Sequence, residues 1–317
     1  MYCSITNKIR QVKNRTCNPD ISRWGKKKNQ TQNIANLYQE INIKKSIRMC
    51  ECATDLVFAV DKSKRIKLHK ANFCRVRLCP MCTWRRSLKI FGQVSEIMSC
   101  ISGKYMYLFL TLTIKNVNPD DLSECLDELG AAWKRIVKYK KWTNTVKGYF
   151  KTLEITHNVD PTSLSYDTYH PHLHVLVAVE SDYYDNDKIY INYATLRQMW
   201  GKALKVNYEP QVYMQSVSGT DLGGVAEVTK YAVKYKDIVT DDYRMSIKTL
   251  SILDIALHKR RFVSFGGIFK DIHHRLEMSA PEDIDPSHEA VEDALVEVLA
   301  YRWHIGYSSY MPVLSEA

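Results

Sequence analysis

The sequence HPHLH at residues 170–174 places three histidines within five residues, directly before an apolar run. Side chains of a strand alternate between the two faces of a sheet, so His172 and His174 share one face while Leu173 points to the other. The roots of two such imidazoles lie ~7 Å apart, close enough for both to bind one divalent metal ion. We therefore predict that His172 and His174 are metal ligands.

A metal ion held by two imidazoles usually needs an oxygen ligand as well. The strand predicted to precede the histidines carries Glu154, which would face them if the two strands are neighbours. Glu154 is therefore the predicted third ligand. Two alternatives stay open at this point: His170 is the third ligand, or Glu154 is an exposed strand residue.

The segment EVTKYAVKYKD at residues 227–237 carries a tyrosine in a setting that suits nucleophilic chemistry. On a helix, Glu227 and Tyr231 would lie on one face with their Cβ atoms ~6 Å apart, and Lys234 would lie near that face one turn on. A tyrosine with a pKa near ~10 is a poor nucleophile. Lysines and a metal ion that favour the phenolate make it competent. Alone, the segment is typical of an amphipathic surface helix; with the histidines, it indicates a metal-assisted phosphodiester transesterase.

Five of the nine cysteines fall within 33 residues, and they are Cys50, Cys52, Cys74, Cys79 and Cys82. Cys79 and Cys82 form a two-residue knuckle of the kind found in zinc sites, and His69 is an additional candidate ligand. Five sulfur atoms and one imidazole exceed the four places of a tetrahedral site. We predict a structural zinc site, with separate buried thiols as the alternative.

Basic residues are concentrated toward the N-terminus. The chain of 317 residues has 45 Lys and Arg against 35 Asp and Glu, and residues 1–90 hold 21 basic and 5 acidic side chains. A basic block suits a polyanion, because each Lys or Arg that neutralises a phosphate releases a counterion. A solvated basic tail is the alternative. The predicted DNA contacts are Arg75, Arg77, Trp84, Arg85, Arg86 and Lys230. Among them, Trp84 is predicted to stack on a base.

The pattern of apolar residues predicts a mixed fold. Strands are expected at 105–116, 148–156, 172–179 and 211–217, and helices at 122–139, 193–203 and 225–238. This order favours an α+β sandwich with an antiparallel sheet over a doubly wound parallel one. No apolar run approaches the ~20 residues of a membrane span. Since the N-terminus also lacks the apolar block of a secretory signal, we expect a cytoplasmic bacterial protein without a membrane partner.

Four segments of the chain carry a family resemblance, and they are RLCPMCTWRRS at 77–87, FLTLTIKNV at 109–117, HPHLHVLVAV at 170–179 and EVTKYAVKYKD at 227–237. They resemble the rolling-circle replication initiator proteins of small Gram-positive plasmids, which belong to the HUH endonuclease superfamily. The likeness runs from about residue 47 to about residue 270. It implies a ferredoxin-like antiparallel sheet with the histidine pair on a central strand. It also implies a tyrosine that attacks the double-strand origin, becomes linked to the 5′ phosphate and frees a 3′ hydroxyl.

Within the resemblance, His172 and His174 match the metal pair and Glu154 matches an acidic residue of the preceding strand. Tyr231 matches the nucleophile, and Glu227 matches a glutamate that activates water in the closing step. Lys234 is expected to assist catalysis.

Tyr235 leaves a further alternative, because HUH enzymes with two tyrosines place them four residues apart. The implied cofactors are Mg or Mn, with structural zinc at the cysteines. The implied partners are origin DNA with a single-stranded or hairpin nick site, and the host helicase and replication machinery. The helicase must be a separate protein, since the sequence holds no phosphate-binding GxxxxGK[ST] loop. A homodimer of this chain is kept as an alternative to a monomer.

These interpretations predict four regions: a basic flexible arm at 1–46, a Cys-rich basic segment at 47–100, an HUH endonuclease core at 101–245, and a C-terminal helical extension with an acidic tail at 246–317. The predicted function is initiation of plasmid replication by nicking and closing one strand at the origin. The alternatives are an HUH relaxase or transposase with the same chemistry, or a non-catalytic zinc-containing DNA-binding protein.

Overall fold

The computed structural model describes residues 19–217, 225, 226, 229, 232–284 and 297–313. The chain forms two units, Met1–Cys82 with Ile284–Ala317, and Thr83–Asp283. No helix in the described ranges is long and apolar enough to cross a membrane.

The helices are α1 (Ile21–Ile41), α2 (Ile43–Glu51), α3 (Pro80–Cys100), α4 (Leu122–Ile136), α5 (Lys140–Thr145), α6 (Tyr193–Leu204), α7 (Tyr243–Ala256) and α8 (Ile268–Arg275). The strands are β1 (Asp55–Val60), β2 (Ile66–Ala71), β3 (Tyr105–Thr113), β4 (Val146–Asn158), β5 (Thr168–Glu180), β6 (Val212–Val217), β7 (Val263–Gly267), β8 (Glu297–His304) and β9 (Ser309–Pro312). Short 3-10 helices span Pro119–Asp121, Tyr235–Asp237 and Ile305–Tyr307.

The sheet of the second unit has the strand order β6-β3-β5-β4-β7, and every neighbouring pair is antiparallel. The connection β3-α4-β4-β5-α6-β6 with this order is the ferredoxin-like arrangement, to which β7 adds an edge strand. The predicted α+β class with an antiparallel sheet is therefore confirmed.

β5 lies at the centre of this sheet and is buried along almost all of its length. On one face, Leu176 and Ala178 join an apolar cluster with residues of α3 and α8. On the other face, Val175 and Val177 are buried, and α4 packs against β5 and α6. Because β5 carries apolar side chains on both faces, the sequence favours a central position for it.

The first unit holds a second antiparallel sheet, with the order β2-β1-β8-β9. Residues 1–46 were expected to form a flexible arm, but their described part folds into α1 and the start of α2. The side chain of Asp20 caps α1 by accepting a hydrogen bond from the backbone N–H of Arg23. Trp24 packs edge-on against Phe58 of β1, with ring centroids 5.7 Å apart. The helix forms because its apolar side is buried.

The C-terminal extension also differs from the helical expectation. α7 and α8 are helices, but residues 297–304 form β8, which pairs with β1 in the register Leu56↔Tyr301. Val298 is exposed and Leu299 is buried, which is the alternation of a strand. Pairing with β1 therefore gives a strand at 297–304, where a helical extension was expected. Residues 285–296 lie outside the described part of the chain.

The burial of β5 gives a test of the core. Leu176 is fully buried and Leu164 is fully exposed, so the same truncation can be compared at both positions. We expect Leu176→Ala to lower the free energy of unfolding by about 2–5 kcal/mol, because it leaves a cavity. Leu164→Ala should change it by less than about 0.5 kcal/mol. Urea denaturation followed by circular dichroism measures both, and equal losses would contradict the assigned core.

A candidate metal centre on the central sheet

The pairing of β4 with β5 brings three predicted ligands together. Glu154 lies opposite His172, and His174 follows on the same face of β5. The Nε2 atom of His174 is 2.8 Å from Oε2 of Glu154 and 3.1 Å from Nε2 of His172. Nε2 of His172 is 3.5 Å from the same carboxylate oxygen. One ligand atom from each side chain thus faces a common point, and all three atoms lie within 4.8 Å of one another.

The second ring nitrogens of the histidines have partners of their own. Nδ1 of His172 is 3.1 Å from the carbonyl oxygen of His170. A carbonyl only accepts hydrogen bonds, so Nδ1 donates and Nε2 keeps a lone pair for a metal ion. Nδ1 of His174 is 3.2 Å from Oγ1 of Thr111, and the ring of Phe109 stacks on His174 at 5.4 Å. Outer contacts of this kind orient metal-binding imidazoles, so the donor set fits a divalent ion.

Glu154 is buried, and its carboxylate lies between the histidines and one lysine. Nζ of Lys234 is 2.5 Å from Oε1, whereas the imidazoles contact Oε2. Burial alone would raise the pKa of Glu154, but hydrogen bonds with His172, His174 and Lys234 outweigh it and hold this pKa well below its usual range. The carboxylate therefore stays ionised, with one oxygen facing the candidate metal position.

The predicted tyrosine helix is only partly described. Glu227, Lys230 and Tyr231 lie outside the described residues. Val225 and Ala226 are helical, but the chain is irregular at 232–234 and continues as the 3-10 helix Tyr235–Asp237, so a continuous helix over 225–238 is wrong. The carbonyl of Ala232 accepts a hydrogen bond of 2.7 Å from the backbone N–H of Ile155. This bond to the edge of β4 competes with the helical pattern and explains the difference.

Two further predicted residues, His170 and Tyr235, lie within the described part of the chain. His170 is half-buried and stacks on His172 with ring centroids 5.4 Å apart, but it does not join the group of three ligand atoms. Burial lowers the pKa of His170. Tyr235 is half-buried at the start of its 3-10 helix.

A network around the buried His157, which no sequence pattern predicts, supports the turn after Lys234. His157 contacts the carbonyl oxygen of Asp237 through Nδ1 at 3.3 Å and a carboxylate oxygen of Asp167 through Nε2 at 3.1 Å. Lys248 contacts the other oxygen of Asp167 at 2.5 Å. Burial raises the pKa of Asp237. His157 and Asp167 are ten residues apart, but Asp237 is 80 residues from His157, so tertiary packing is needed to bring the whole network together.

The cysteine cluster assembles four of its five predicted members. The buried thiols of Cys52, Cys74, Cys79 and Cys82 place their sulfur atoms within 4.8 Å of one another. Cys50 is exposed and His69 is exposed, and neither belongs to the group. These four cysteines could hold a metal ion.

The predicted DNA contacts differ in exposure. Arg75 is exposed, and Arg77, Arg85 and Arg86 are half-buried. Nε of Arg86 donates to the carbonyl of Glu282 at 3.3 Å. Trp84 is only 4% exposed, so its ring does not offer a face for stacking on a base. The apolar ring packs inside the protein because its burial removes a large area from water.

Comparisons with known proteins agree with this architecture. The sequence model of a family described as replication protein matches residues 65–311. A protein rep from Bacillus amyloliquefaciens is 37% identical over 298 residues, which cover 84% of this chain and 85% of the relative. A protein rep from Lactiplantibacillus plantarum is 33% identical over 314 residues, which cover 93% and 97%. No solved structure matches significantly. The chain belongs to the replication protein family, and the resemblance to plasmid replication initiators is confirmed.

The candidate centre predicts a difference between two histidines of one strand. His174→Ala should weaken Mn²⁺ binding by at least about tenfold, since even the loss of an outer partner costs this much at metal sites. His170→Ala is the matched control, because His170 lies outside the group of ligand atoms, and it should retain binding. The free Mn²⁺ signal in electron paramagnetic resonance measures both affinities. A larger loss in His170→Ala would contradict the assigned ligands.

Proposed function

We propose that this chain initiates rolling-circle replication of a plasmid by cutting one DNA strand at the double-strand origin. The observation that carries the proposal is the grouping of Glu154, His172 and His174 on one face of a central sheet. Membership of the replication protein family supports it independently. The DNA partner would be the origin, presented as a single strand or hairpin, and a host helicase and the replication machinery would then act on the cut strand.

In this proposal the three side chains hold Mg²⁺ or Mn²⁺. The bound ion would neutralise charge on the phosphate that is attacked. Lys234 supports the site because its ammonium keeps the buried Glu154 ionised without occupying Oε2. The outer contacts of the two imidazoles hold Nε2 of each ring toward the same point.

Tyr231 is the proposed nucleophile. Its phenolic oxygen attacks phosphorus and forms a phosphotyrosine with the 5′ phosphate, while the bond from phosphorus to the 3′ oxygen breaks. The phenol loses its proton, and the departing 3′ oxygen gains one and becomes a primer end. Two contacts of nearby residues support this role: Ala232, which follows Tyr231 in the sequence, hydrogen-bonds to Ile155, and Lys234 contacts Glu154.

Glu227 is proposed to act when replication ends. For the final cut, Glu227 takes a proton from water, and the water oxygen attacks the phosphate of the regenerated nick site in place of a tyrosine, so that the 3′ oxygen leaves as a hydroxyl. This new 3′ hydroxyl then attacks the phosphotyrosine and rejoins the original strand, while the phenol of Tyr231 leaves and regains its proton. Because water is the nucleophile, this cut leaves no second link between protein and DNA.

The nucleophile can be tested with single-stranded oligonucleotides that tile the plasmid, incubated with the full chain and Mn²⁺. The wild type should form a covalent adduct with the fragment that carries the 5′ phosphate and release a fragment whose 3′ end a polymerase extends. Tyr231→Phe should form no adduct, because it lacks the attacking oxygen, whereas the control Tyr235→Phe should form it normally. Denaturing gels of 3′-labelled DNA measure the adduct.

An undiminished adduct in Tyr231→Phe would reject the assigned nucleophile. Loss of the adduct in Tyr235→Phe alone would assign the first attack to the other tyrosine. Binding of the oligonucleotides without cutting under Mg²⁺ or Mn²⁺ would identify a non-catalytic DNA-binding protein instead.

The closing role of Glu227 predicts a separate defect. Glu227→Gln should form the first adduct at the normal rate but slow hydrolysis by about 10²–10⁴-fold, the usual contribution of a general base. The adduct should therefore accumulate in a time course with a substrate that carries two nick sites. Equal slowing of adduct formation and hydrolysis would be inconsistent with this role.

A further inference from the structure

We propose that Cys52, Cys74, Cys79 and Cys82 form a zinc site whose negative charge is balanced by the buried ammonium of Lys28. The inference concerns the first unit alone and does not depend on the proposed nicking reaction. Two observations carry it: the spacing of the four sulfur atoms, and a buried cation with neutral partners.

The sulfur spacing fits a tetrahedral ion. Zn–S bonds of about 2.3 Å require sulfur atoms about 3.8 Å apart along the edges of the tetrahedron. The observed distances are 3.5 Å from Cys52 to Cys82, 3.6 Å from Cys74 to Cys82 and 3.7 Å from Cys79 to Cys52. A disulfide would need about 2.05 Å, so these thiols are not paired covalently. Soft thiolate ligands in this geometry favour zinc over Mg²⁺ or Mn²⁺.

Backbone groups around the cluster donate to its sulfur atoms. The N–H of Cys74 donates to Sγ of Cys52 at 3.4 Å, and the N–H of Val76 donates to Sγ of Cys74 at 3.5 Å. The ligands come from four positions: Cys52 directly follows α2, Cys74 follows β2, Cys79 directly precedes α3, and Cys82 lies in its first turn. One ion would thus join chain segments that are distant in the sequence, which is the role of a structural zinc.

Lys28 is the second observation. It lies on α1 and is fully buried. Its Nζ donates to the carbonyl oxygens of Cys50 at 2.8 Å and Cys52 at 2.7 Å, and to Oγ1 of Thr54 at 3.2 Å. All three acceptors are neutral. Within the described ranges, no carboxylate forms an ion pair with Lys28.

A buried ammonium without an anion nearby is costly. Zinc with four thiolates carries a net negative charge, because four anionic ligands exceed the charge of one divalent ion. One of the two carbonyls that Lys28 contacts belongs to Cys52, itself a predicted ligand, so the ammonium lies beside this charge. The ammonium of Lys28 and the anionic zinc site therefore stabilise each other, which explains why both are buried. Lys28 is a positioning residue, because it contacts the ligand backbone and not the metal.

The metal content of the full chain tests the site. A His172→Ala/His174→Ala background removes the sheet centre as a source of bound metal. In this background, elemental mass spectrometry should find one zinc ion per chain. After exchange with Co²⁺, the absorption spectrum should show thiolate-to-metal charge-transfer bands. Cys79→Ser should lose the zinc, and the exposed Cys50→Ser should keep it. Absence of zinc in the background protein, or equal loss in both variants, would overturn the site.

A cysteine variant could fail to fold, so a second measurement uses the background protein itself. A strong chelator should remove the zinc and lower the thermal midpoint of unfolding, because metal binding stabilises the folded unit. An unchanged midpoint after complete removal of zinc would contradict a structural role.

Lys28→Met tests the balance of charge, since methionine nearly matches lysine in length but is neutral. Zinc affinity in competition with a coloured chelator should fall by about 10–100-fold, the usual effect of losing an outer partner. The control is Lys26→Met, which removes an exposed charge from the same helix and should leave the affinity unchanged. The zinc-free form of Lys28→Met should be at least as stable as zinc-free wild type. Equal destabilisation with and without zinc would show that Lys28 acts only in packing.

Discussion

The candidate centre depends on the antiparallel register between β4 and β5. Glu154 lies opposite His172, so an oxygen and two imidazole nitrogens reach one point. Strand side chains alternate with a period of two, and a slip of one residue would turn Glu154 to the opposite face of the sheet. The register is held by apolar side chains farther along the same strands: Phe150 and Leu176 pair directly and are fully buried. The packing of the core therefore sets the geometry of the polar site.

Charge is the second constraint, because the site is buried. Glu154 would be costly to bury as a lone anion, and it is stabilised by Lys234 on one oxygen and by the imidazoles on the other. Because Lys234 contacts Oε1, Oε2 of Glu154 faces the candidate metal position. The same contact links the segment around Lys234, which is distant in the sequence, to β4. The segment is also held by the bond between Ile155 and Ala232, and by His157 beneath the turn at Asp237. The same logic applies to the cysteine cluster, where a buried cation accompanies a predicted anionic metal site.

Local patterns in the sequence predicted the central strands and the histidine pair, because alternation with a period of two is visible without tertiary contacts. The choice of four cysteines from five was not predictable, since Cys50 and Cys52 differ in exposure and not in spacing. The 21-residue α1 is longer than the one short helix that the expected arm allowed, because the buried Lys28 interrupts its apolar side in the sequence. The helix over 225–238 was wrong because the bond from Ile155 to Ala232 is a tertiary contact. The network of His157 with Asp167 was likewise invisible, since only strand pairing brings these residues together.

The most direct test of the account is a crystal structure of the full chain with Mn²⁺, measured with anomalous scattering at the manganese edge. We predict one strong peak on the order of 2 Å from Nε2 of His172, Nε2 of His174 and an oxygen of Glu154. A crystal in which Mn²⁺ binds elsewhere while these three side chains keep their mutual contacts would contradict it.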